Sequence, residues 1–551
     1  MLGAELFAKC LENEGVEYVF GLPGEEIADL LKALAFSKKI KFVLVKQEQS
    51  ASFMADVYGR LTGRAGVCLS TLGPGATNLL TGVADAYLDR APLVAITGQG
   101  GLDRTYQESH QYIDVVSVYK FVTKWNRSVT RAEFIPQVVR KAFSIAQSEK
   151  MGAVHIELPE DVAGERDVDA LPLPLVRDRI PAVADASGAK KAVALIEGAT
   201  SPLILAGNGV IRCGASKELV EFARTFGIPV VNTFMGKGVI SSNEELSLGT
   251  IGLQTRDLVN CVFDKSDLII TVGYDFVEYA PRFWNPNNTE IVHIDSSESE
   301  TDANYTTALE LIGNIPATLD LLVSEAGSTK KKKRDISYQL KIRSMINAEL
   351  SEFADDDSSF PLRPQKIVYE LRRALSDQDI LVSDVGMHKI WISRLYPAYA
   401  PNTVIISNGF ASMGISVPGA IAAKLAKPER NVVAVCGDGG FMMNLHELET
   451  AKRLGTNFVI VIFDDGQYSQ IDWRQKMRFG ESYYTNFNNP DFVELAESFG
   501  WKGVSIKSAR ELRESLNHAI DSRESCVIDV PVDVRENTLL SARLGANLVC
   551  P

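Results

Sequence analysis

Short apolar runs recur along the chain, and polar residues do not alternate within them. They occupy residues 42–45, 66–71, 92–97, 202–206, 267–273, 431–437 and 458–463. A run of this kind is typical of a parallel strand that is buried on both faces. Amphipathic stretches of helical length lie between the runs, for example residues 136–148 and 447–454. Strands that alternate with helices predict an α/β fold built on doubly wound parallel sheets.

Two stretches of different composition divide the chain. Residues 171–189 are rich in proline and alanine, and residues 326–364 combine a basic run, an acidic patch and two prolines. Within the second stretch, residues 337–353 are predicted to form a helical connector. A length of 551 residues suggests three or four domains of about 150 residues each. We therefore predict three α/β domains, at residues 1–175, 185–330 and 360–551.

Charge and composition exclude several classes of protein. The formal net charge of −13 leaves no large basic face, so we expect no nucleic-acid partner. No run of about 18 apolar residues predicts a membrane span, and the N-terminus has no apolar signal core. The seven cysteines are scattered without a Cys-x-x-Cys pair. This spacing predicts neither a disulfide framework nor a zinc site, and it fits a reducing cytoplasm.

The apolar run at 431–437 leads directly into a glycine-rich turn at residues 437–440. Ligands bind at the carboxyl ends of strands in open α/β sheets, where glycines let backbone N–H groups approach a phosphate. Asp438 in this turn is a hard oxygen ligand, and Asp465 follows the next apolar run 27 positions later. Neighbouring parallel strands bring both carboxylates to one sheet edge, which predicts a magnesium ion that bridges protein and phosphate. The turn alone is usually structural, so the prediction depends on the pair.

This spacing resembles the fingerprint of the thiamine diphosphate enzymes, in which Asn or Asp ends the strand that follows Gly-Asp-Gly. The resemblance implies that Asp438 and Asp465 bind Mg²⁺ through their side chains, and Gln467 through its backbone carbonyl. Relatives usually have Asn-Asn or Asn-Asp where this chain has Asp464 and Asp465, a change that keeps the metal position acidic. It also implies the following cofactor contacts in the third domain: Val385, Gly386, Met387, His388, Ala411, Met413, Gly437, Asp438, Gly439, Gly440 and Tyr468.

Two of these residues have specific roles in the family. The resemblance implies that Met413 forces the bent shape of the cofactor, and that the Ala411 carbonyl accepts a hydrogen bond from its N4′ amino group. Ordinary core packing also explains a methionine at such a position.

The first domain supplies the other half of the fingerprint. Glu48 follows the apolar run at 42–45 and is the only acid between residues 38 and 54. By itself, such a residue is a helix-start carboxylate favoured by the helix dipole. The resemblance implies that Glu48 is catalytic and binds N1′ of the aminopyrimidine, with Pro74 and Asn78 against the same ring. A strand-to-helix turn also uses Gly and Pro for backbone reasons, and both interpretations of Pro74 hold together.

His110 and Gln111 match a pair that faces the thiazolium and the substrate in these enzymes. The resemblance therefore implies a catalytic role for Gln111 and a substrate contact for His110. Because the pyrimidine-binding and diphosphate-binding domains of one family active site come from different chains, we expect a homodimer or homotetramer with active sites at the subunit interface.

The middle domain indicates which branch of the thiamine diphosphate enzymes the chain resembles. Residues 274–278 read Tyr-Asp-Phe-Val-Glu, which is similar to the catabolic acetolactate synthases, whereas the FAD-binding branch has Arg-Phe-Asp-Asp-Arg. The turn at residues 207–209 resembles a dinucleotide turn, but we interpret it as structural. The resemblance thus implies thiamine diphosphate and Mg²⁺ without FAD, and a decarboxylating condensation of two pyruvates to 2-acetolactate and CO₂.

The predicted substrate segment departs from that branch. Gln470 replaces a usual methionine and makes the pocket more polar. Arg474 either pairs with a substrate carboxylate or points to solvent, and the sequence leaves both open. Two alternatives therefore remain. One is another thiamine diphosphate-dependent carboligase or 2-oxo-acid decarboxylase on the same scaffold. The other is a non-catalytic homologue, against which the intact Glu48, Asp438 and Asp465 argue.

Overall fold

A computed structural model describes the chain at residues 1–105, 107–175, 182–253, 255–327, 334–545 and 548–551. The chain forms two compact units. The first contains Met1–Arg179, Gly409–Glu429 and Asn444–Thr456. The second contains Ile180–Asn408, Arg430–Met443 and Asn457–Pro551.

The first unit contains a parallel six-stranded sheet with the strand order β2-β1-β3-β4-β6-β5. Its strands are β1 (Tyr18–Gly21), β2 (Lys41–Leu44), β3 (Gly66–Ser70), β4 (Leu93–Gln99), β5 (Asn126–Ser128) and β6 (Ala153–Pro159). The helices of this region are α1 (Gly3–Asn13), α2 (Ala28–Phe36), α3 (Glu48–Thr62), α4 (Pro74–Leu88), α5 (Val115–Tyr119), α6 (Ile135–Ala146) and α7 (Glu160–Ala163). Helix α6 matches the amphipathic prediction, because Ile135, Val139, Ala142 and Ala146 lie on one buried face.

The second unit begins with a parallel sheet of order β12-β11-β10-β7-β8-β9. Its strands are β7 (Pro202–Ala206), β8 (Val230–Thr233), β9 (Ser247–Ile251), β10 (Leu268–Val272), β11 (Ile291–Asp295) and β12 (Thr307–Ile312). The helices here are α8 (Ala186–Gly198), α9 (Asn208–Arg212), α10 (Ser216–Phe226), α11 (Asn260–Asp264) and α12 (Ile315–Ala326). The predicted connector follows as α13 (Ser337–Ser351), which packs on β9 and α11.

A third parallel sheet, also in the second unit, has the order β14-β13-β15-β16-β18-β17. Its strands are β13 (Ile380–Ser383), β14 (Val404–Ile406), β15 (Val432–Gly437), β16 (Val459–Asp464), β17 (Lys502–Ser505) and β18 (Cys526–Pro531). The last helices of the chain are α14 (Pro364–Ala374), α15 (Met387–Leu395), α16 (Ser416–Ala426), α17 (Asp438–Asn444), α18 (Glu447–Leu454), α19 (Ser469–Phe479), α20 (Phe492–Ser498), α21 (Ala509–Ser522) and α22 (Arg535–Arg543). Of these, α16 and α18 belong to the first unit.

The α/β prediction with three doubly wound parallel sheets is confirmed. All seven apolar runs are strands, and six of them are almost entirely buried, as in β4 and β7. The run at 42–45 departs from the prediction of burial on both faces, because β2 is an edge strand and is only half-buried. The other strands lacked a comparable apolar run; edge strands such as β5 and β12 are half-exposed and carry polar residues. No helix in the described residues combines the length and apolar character that a membrane span needs.

One cysteine pair departs from the sequence prediction of no disulfide framework. Cys261 in α11 and Cys550 near the C-terminus form a disulfide, with Cα atoms 5.5 Å apart. The two cysteines are separated by 289 positions. A search for close cysteine spacing cannot detect such a pair, because only the fold brings the two residues together.

A buried ionic cluster connects the two long helices on one face of the first sheet. The Arg60 guanidinium in α3 forms ion pairs with Asp56 of the same helix, with Asp85 of α4 at 3.2 Å, and with Asp89 at 2.9 Å. The three carboxylates are fully buried. Since buried ions need a partner, this one cation holds three acids that would otherwise repel each other.

Replacing Arg60 with Met should therefore destabilise the first unit by about 3–5 kcal/mol, the range for leaving a buried ion without its partner. Urea unfolding followed by circular dichroism measures the effect. Arg510→Met is the control, because the Arg510–Glu514 pair is exposed to solvent, and its midpoint should stay unchanged. Equal midpoints for the two variants would contradict this account of the cluster.

Candidate functional site

Glu48 is the first residue of α3, at the carboxyl edge of the first sheet, and its side chain is 7% exposed. Asn78 in α4 donates from Nδ2 to Glu48 Oε2 at 3.0 Å. The backbone of Gly75 lies so close that an added Cβ would be 3.4 Å from Glu48 Oε1. The turns after β2 and β3 thus bring together three predicted residues, Glu48, Pro74 and Asn78. The helix-start interpretation and the catalytic one both fit this position.

Helix α3 is tied to residues from the later part of the chain that belong to the same unit. The Lys46 backbone N–H donates to Glu447 Oε1 at 2.9 Å, and Ser50 Oγ donates to Asn444 Oδ1 at 3.1 Å. Asn444 Nδ2 in turn donates to the Gly414 carbonyl at 2.7 Å. Asn444 therefore connects the first turn of α3 to the residue that follows Met413. The sequence analysis did not predict this role of Asn444, because nothing local marks it.

The segment that contains Ala411 and Met413 is constrained at both ends. Ala411 has a left-handed backbone with φ of 57°, which is uncommon for a residue other than glycine. The Gly409 N–H donates to the buried Asp89 carboxylate, which also pairs with Arg60. Met413 is half-buried. The Arg60 cluster thus positions the predicted cofactor segment as well as the two helices.

His110 and Gln111 lie on an exposed loop beside the turn that begins α4. Gln111 has φ of 57°, and its carbonyl is so close to Gly73 that an added Cβ there would be 2.6 Å away. Gly73 itself has φ of 50°, a conformation that glycine adopts without strain. The structure therefore brings Gln111 next to Pro74, and leaves the His110 side chain exposed.

In the second unit, Asp438 begins α17 at the carboxyl end of β15, and it is 2% exposed. Its Oδ2 accepts hydrogen bonds from the Gly466 N–H at 2.7 Å, the Asp465 N–H at 3.3 Å and Asn489 Nδ2 at 2.7 Å. The turn after β16 thus wraps the Asp438 carboxylate, as the spacing predicted. Asn489 also donates to Asp464 Oδ1 at 2.6 Å, and it is a site residue that sequence reasoning missed.

The acids of this edge carry more negative charge than their surroundings neutralise. Burial, reinforced by the neighbouring Asp438 carboxylate, raises the pKa of Asp465 to about 7. Burial and the Asp529 carboxylate likewise raise the pKa of Asp464 to about 7. Among the residues that the structure describes, no three or more acidic, cysteine or histidine side chains form a complete metal cage. Two carboxylates and a carbonyl are instead a partial set, of the kind that magnesium uses together with phosphate oxygens.

Gln467 and Ser469 shape the turn that carries Asp465. The Gln467 N–H donates to Asp465 Oδ1 at 3.3 Å, and the Ser469 hydroxyl donates to Oδ2. The Gln467 carbonyl accepts from the Ser469 N–H at 3.0 Å, which leaves its second lone pair for a ligand. All three predicted metal ligands therefore lie on two adjoining turns.

Glycines, which have no side chain, lie beside His388 in α15 and leave a space that we call the cradle. A Cβ added at Gly386 would lie 2.7 Å from the His388 ring, and a Cβ added at Gly437 would lie 3.3 Å from it. At Gly439 an added Cβ would be 2.7 Å from the Tyr468 ring. His388 Nε2 is buried and has no hydrogen-bond partner within the described ranges. Burial lowers the pKa of His388 to about 3, so the ring is neutral.

The other residues predicted to contact the diphosphate lie near His388. Val385 and Gly386 are half-buried, and Met387 begins α15. An added Cβ at Gly440 would be 3.0 Å from Asp384 Oδ1, a neighbour that the sequence analysis did not predict. The proposed substrate residues lie on α19, where Gln470 is half-buried and Arg474 is exposed, with its guanidinium 5.7 Å from the Trp473 ring centre. Their substrate roles stay predictions.

Three family models match this chain. Residues 1–118 match the N-terminal TPP binding domain of thiamine pyrophosphate enzymes, residues 189–322 match the central domain, and residues 384–530 match the C-terminal TPP binding domain. The chain belongs to the thiamine pyrophosphate enzymes. Thiamine pyrophosphate is a synonym of thiamine diphosphate, so the family prediction is confirmed.

Several curated members of the thiamine pyrophosphate enzymes align along nearly the whole chain. The protein named acetolactate synthase from Bacillus subtilis (strain 168) is 35% identical over 98% of this chain and 95% of its own length. A probable acetolactate synthase large subunit from Methanococcus aeolicus is 36% identical over 97% of this chain and 92% of its own length. The catabolic acetolactate synthase of Raoultella terrigena is 34% identical over 98% of this chain and 97% of its own length.

The residues present fit the cofactor of thiamine pyrophosphate enzymes. A diphosphate needs backbone N–H donors and space without side chains, which the glycines around Asp438 supply. The buried and unpartnered His388 Nε2 is a polar atom that needs a ligand. The raised pKa values of Asp464 and Asp465 mark carboxylates that a cation would stabilise. The site roles of individual residues follow as proposals.

Proposed function

We propose that this protein is an acetolactate synthase, which condenses two pyruvates to 2-acetolactate and CO₂ with thiamine diphosphate and Mg²⁺. The observation that carries the proposal is the alignment of relatives named acetolactate synthase with 97–98% of the chain. The buried Glu48–Asn78 pair and the acidic turn at Asp438 support it, because both halves of a cofactor site are intact.

When bound, thiamine diphosphate supplies a nucleophilic carbon and an electron sink for decarboxylation of a 2-oxo acid. The role of Glu48 is to hold a proton against a ring nitrogen of the cofactor. Asn78 fixes Oε2, whereas Oε1 has no hydrogen bond in the described part of the chain and is left for that nitrogen. Burial of Glu48 strengthens such a hydrogen bond, because the local dielectric is low.

Asp438, Asp465 and the Gln467 carbonyl would hold Mg²⁺ in this proposal. Asp438 is already oriented by three N–H donors, so its carboxylate needs no rearrangement to bind a cation. His388 and the glycines of the cradle would contact the diphosphate, while Pro74, Ala411 and Met413 would contact the rings. Gln111 is proposed as catalytic, with His110, Gln470 and Arg474 on the substrate.

The absence of FAD is part of the proposal, and Glu278 supports it. In a dinucleotide site, the helix start after the first strand binds a phosphate. Here the Asn208 N–H at the start of α9 donates to both oxygens of the buried Glu278 carboxylate, at 3.0 and 3.1 Å. The Thr233 hydroxyl donates to the same carboxylate. The protein's own acid thus takes the donors that a dinucleotide phosphate would need.

The assembly and location are also proposed. The three domains at 1–175, 185–330 and 360–551 would be pyrimidine-binding, central and diphosphate-binding. The family arrangement implies a homodimer or homotetramer, with each active site shared by two subunits. A cytoplasmic location and the absence of nucleic-acid partners complete the proposal.

Product analysis tests the activity. Purified protein is incubated with pyruvate, thiamine diphosphate and Mg²⁺, and the products are identified. Acetolactate and CO₂ are expected; free acetaldehyde would instead identify a 2-oxo-acid decarboxylase, and no pyruvate consumption would contradict both.

Glu48→Gln should keep the fold and cofactor binding but reduce turnover by about 10²–10⁴-fold, the usual contribution of a positioned acid or base. Acetolactate formation and cofactor affinity are both measured. Glu133→Gln is the matched control, because Glu133 is an exposed acid in the same unit. Near-normal turnover in Glu48→Gln would exclude the catalytic role.

The purified protein should carry no flavin, and added FAD should not change its activity. The reason is that Glu278 occupies the helix start at Asn208. The visible absorbance spectrum and activity with and without FAD measure this. A stoichiometric yellow cofactor would refute the interpretation.

Asp438→Ala should weaken thiamine diphosphate binding sharply, because it removes a metal ligand and the centre of the turn. Asp465→Asn should be far milder, since Asn keeps one oxygen ligand. Calorimetric cofactor affinity with and without EDTA measures both effects. Equal losses of cofactor affinity in the two variants, or a wild-type affinity that EDTA does not change, would mean that the metal site is placed wrongly.

A further inference from the structure

A cavity of about 50 Å³ lies in the second unit, away from the cradle around His388. Its walls come from β8 and the segment that follows it, from β9, from α13, and from the end of α15 with the two residues that follow it. The volume accommodates a few water molecules or an ion of similar bulk. Polar and apolar side chains both line it, which distinguishes this cavity from a packing defect in a purely apolar core.

The charged residues that line the cavity are all cationic: Lys237, Arg343 and Arg394. Of the three, carboxylates of the described chain neutralise Arg394 alone. Arg394 forms ion pairs with Asp257 at 2.6 Å and with Glu349 at 2.8 Å. The other two have no carboxylate at ion-pair distance among the residues that the structure describes, which is unusual in a chain with a net charge of −13.

Lys237 is buried at 5% exposure, yet its ammonium has only neutral partners. Nζ donates to Thr250 Oγ1 at 3.0 Å and to the Ser393 carbonyl at 2.9 Å. Within the described ranges, no carboxylate lies at ion-pair distance from it. Burial lowers its pKa to about 7, so the amine is only partly charged near neutral pH. An anion in the cavity would restore the charge.

Arg343 faces the same cavity from α13. Its guanidinium donates to the Glu245 carbonyl at 2.8 Å and to the Ser242 carbonyl at 2.9 Å. These two bonds hold the side chain in place and use two of its five N–H donors. The remaining donors and the full charge are available to an oxyanion.

We propose that this cavity is a binding site for a small oxyanion, a phosphate-type ion or a carboxylate, held by Lys237 and Arg343. Both residues are preorganised by hydrogen bonds to backbone or hydroxyl groups, so binding needs little rearrangement. The ion would complete the charge balance that the fold leaves open. This inference does not depend on the proposed function.

Occupancy of the site has a structural consequence. The Ser393 carbonyl belongs to α15, the helix that begins at Met387 and His388. A charged Lys237 makes a stronger hydrogen bond to that carbonyl than a neutral amine does. Anion binding should therefore stabilise the second unit in proportion to its concentration, as any ligand that binds only the folded state does.

Calorimetry tests the proposal with inorganic phosphate and, separately, with acetate as titrants. The protein is saturated with thiamine diphosphate and Mg²⁺ in a buffer without either anion, so that the cofactor cradle is filled. Saturable binding of at least one titrant is expected, and the better titrant identifies the class of oxyanion. Lys237→Met and Arg343→Gln should each weaken that binding at least about tenfold, as expected for a lost charge-assisted hydrogen bond.

Lys341→Gln is the matched control, because Lys341 is exposed on the same helix as Arg343 and does not line the cavity. It should bind the anion like the wild type. If Lys237→Met fails to fold, Arg343→Gln decides the outcome alone, since its partners are backbone carbonyls near the surface. Absence of binding by both anions, or unchanged binding in Arg343→Gln, would overturn the proposal.

Discussion

Parallel pairing is the constraint on which the rest of the structure depends. In each of the three sheets every strand runs in the same direction, so all strands end at one edge. Residues that are far apart in the sequence but follow strand ends must then meet there. Glu48 and Asn78 meet after β2 and β3, and Asp438 meets Asp465 after β15 and β16. The chemistry of the candidate site follows from this shared edge.

Buried carboxylates form two clusters, and the two differ in whether a cation of the protein neutralises them. The three acids around Arg60 are held by one internal cation, and through Asp89 that cluster also fixes Gly409. In the described part of the chain no lysine or arginine pairs with the acids near Asp438, and burial raises the pKa values of Asp464 and Asp465 to about 7. Desolvated like charges are costly unless something neutralises them. The buried acids of the first unit thus have an internal partner, whereas those near Asp438 are the ones we propose to bind a cation.

Glu278 takes part in the strand-to-helix turn at Asn208, although it lies 70 positions away in the sequence. The strand-to-helix turn at Asn208 places a backbone N–H at the helix start, as in a phosphate site. The buried carboxylate fills it from within the domain, at hydrogen-bond distance. An acid in the loop after β10 thus takes the N–H donor at this helix start.

The sequence by itself determined the fold class, the central strands and the two acidic fingerprints. Apolar runs report burial on both faces of a strand, and Gly-Asp-Gly reports a local turn, so both are visible without a structure. The partners of these residues were decided only by tertiary structure: Asn489 beside Asp438, Asn444 beside Ser50, and Cys550 beside Cys261. Lys237 and Arg343 likewise looked like ordinary basic residues in the sequence. The physical reason is that local pattern encodes burial and turns, whereas strand order and helix docking decide which distant side chains share one buried space.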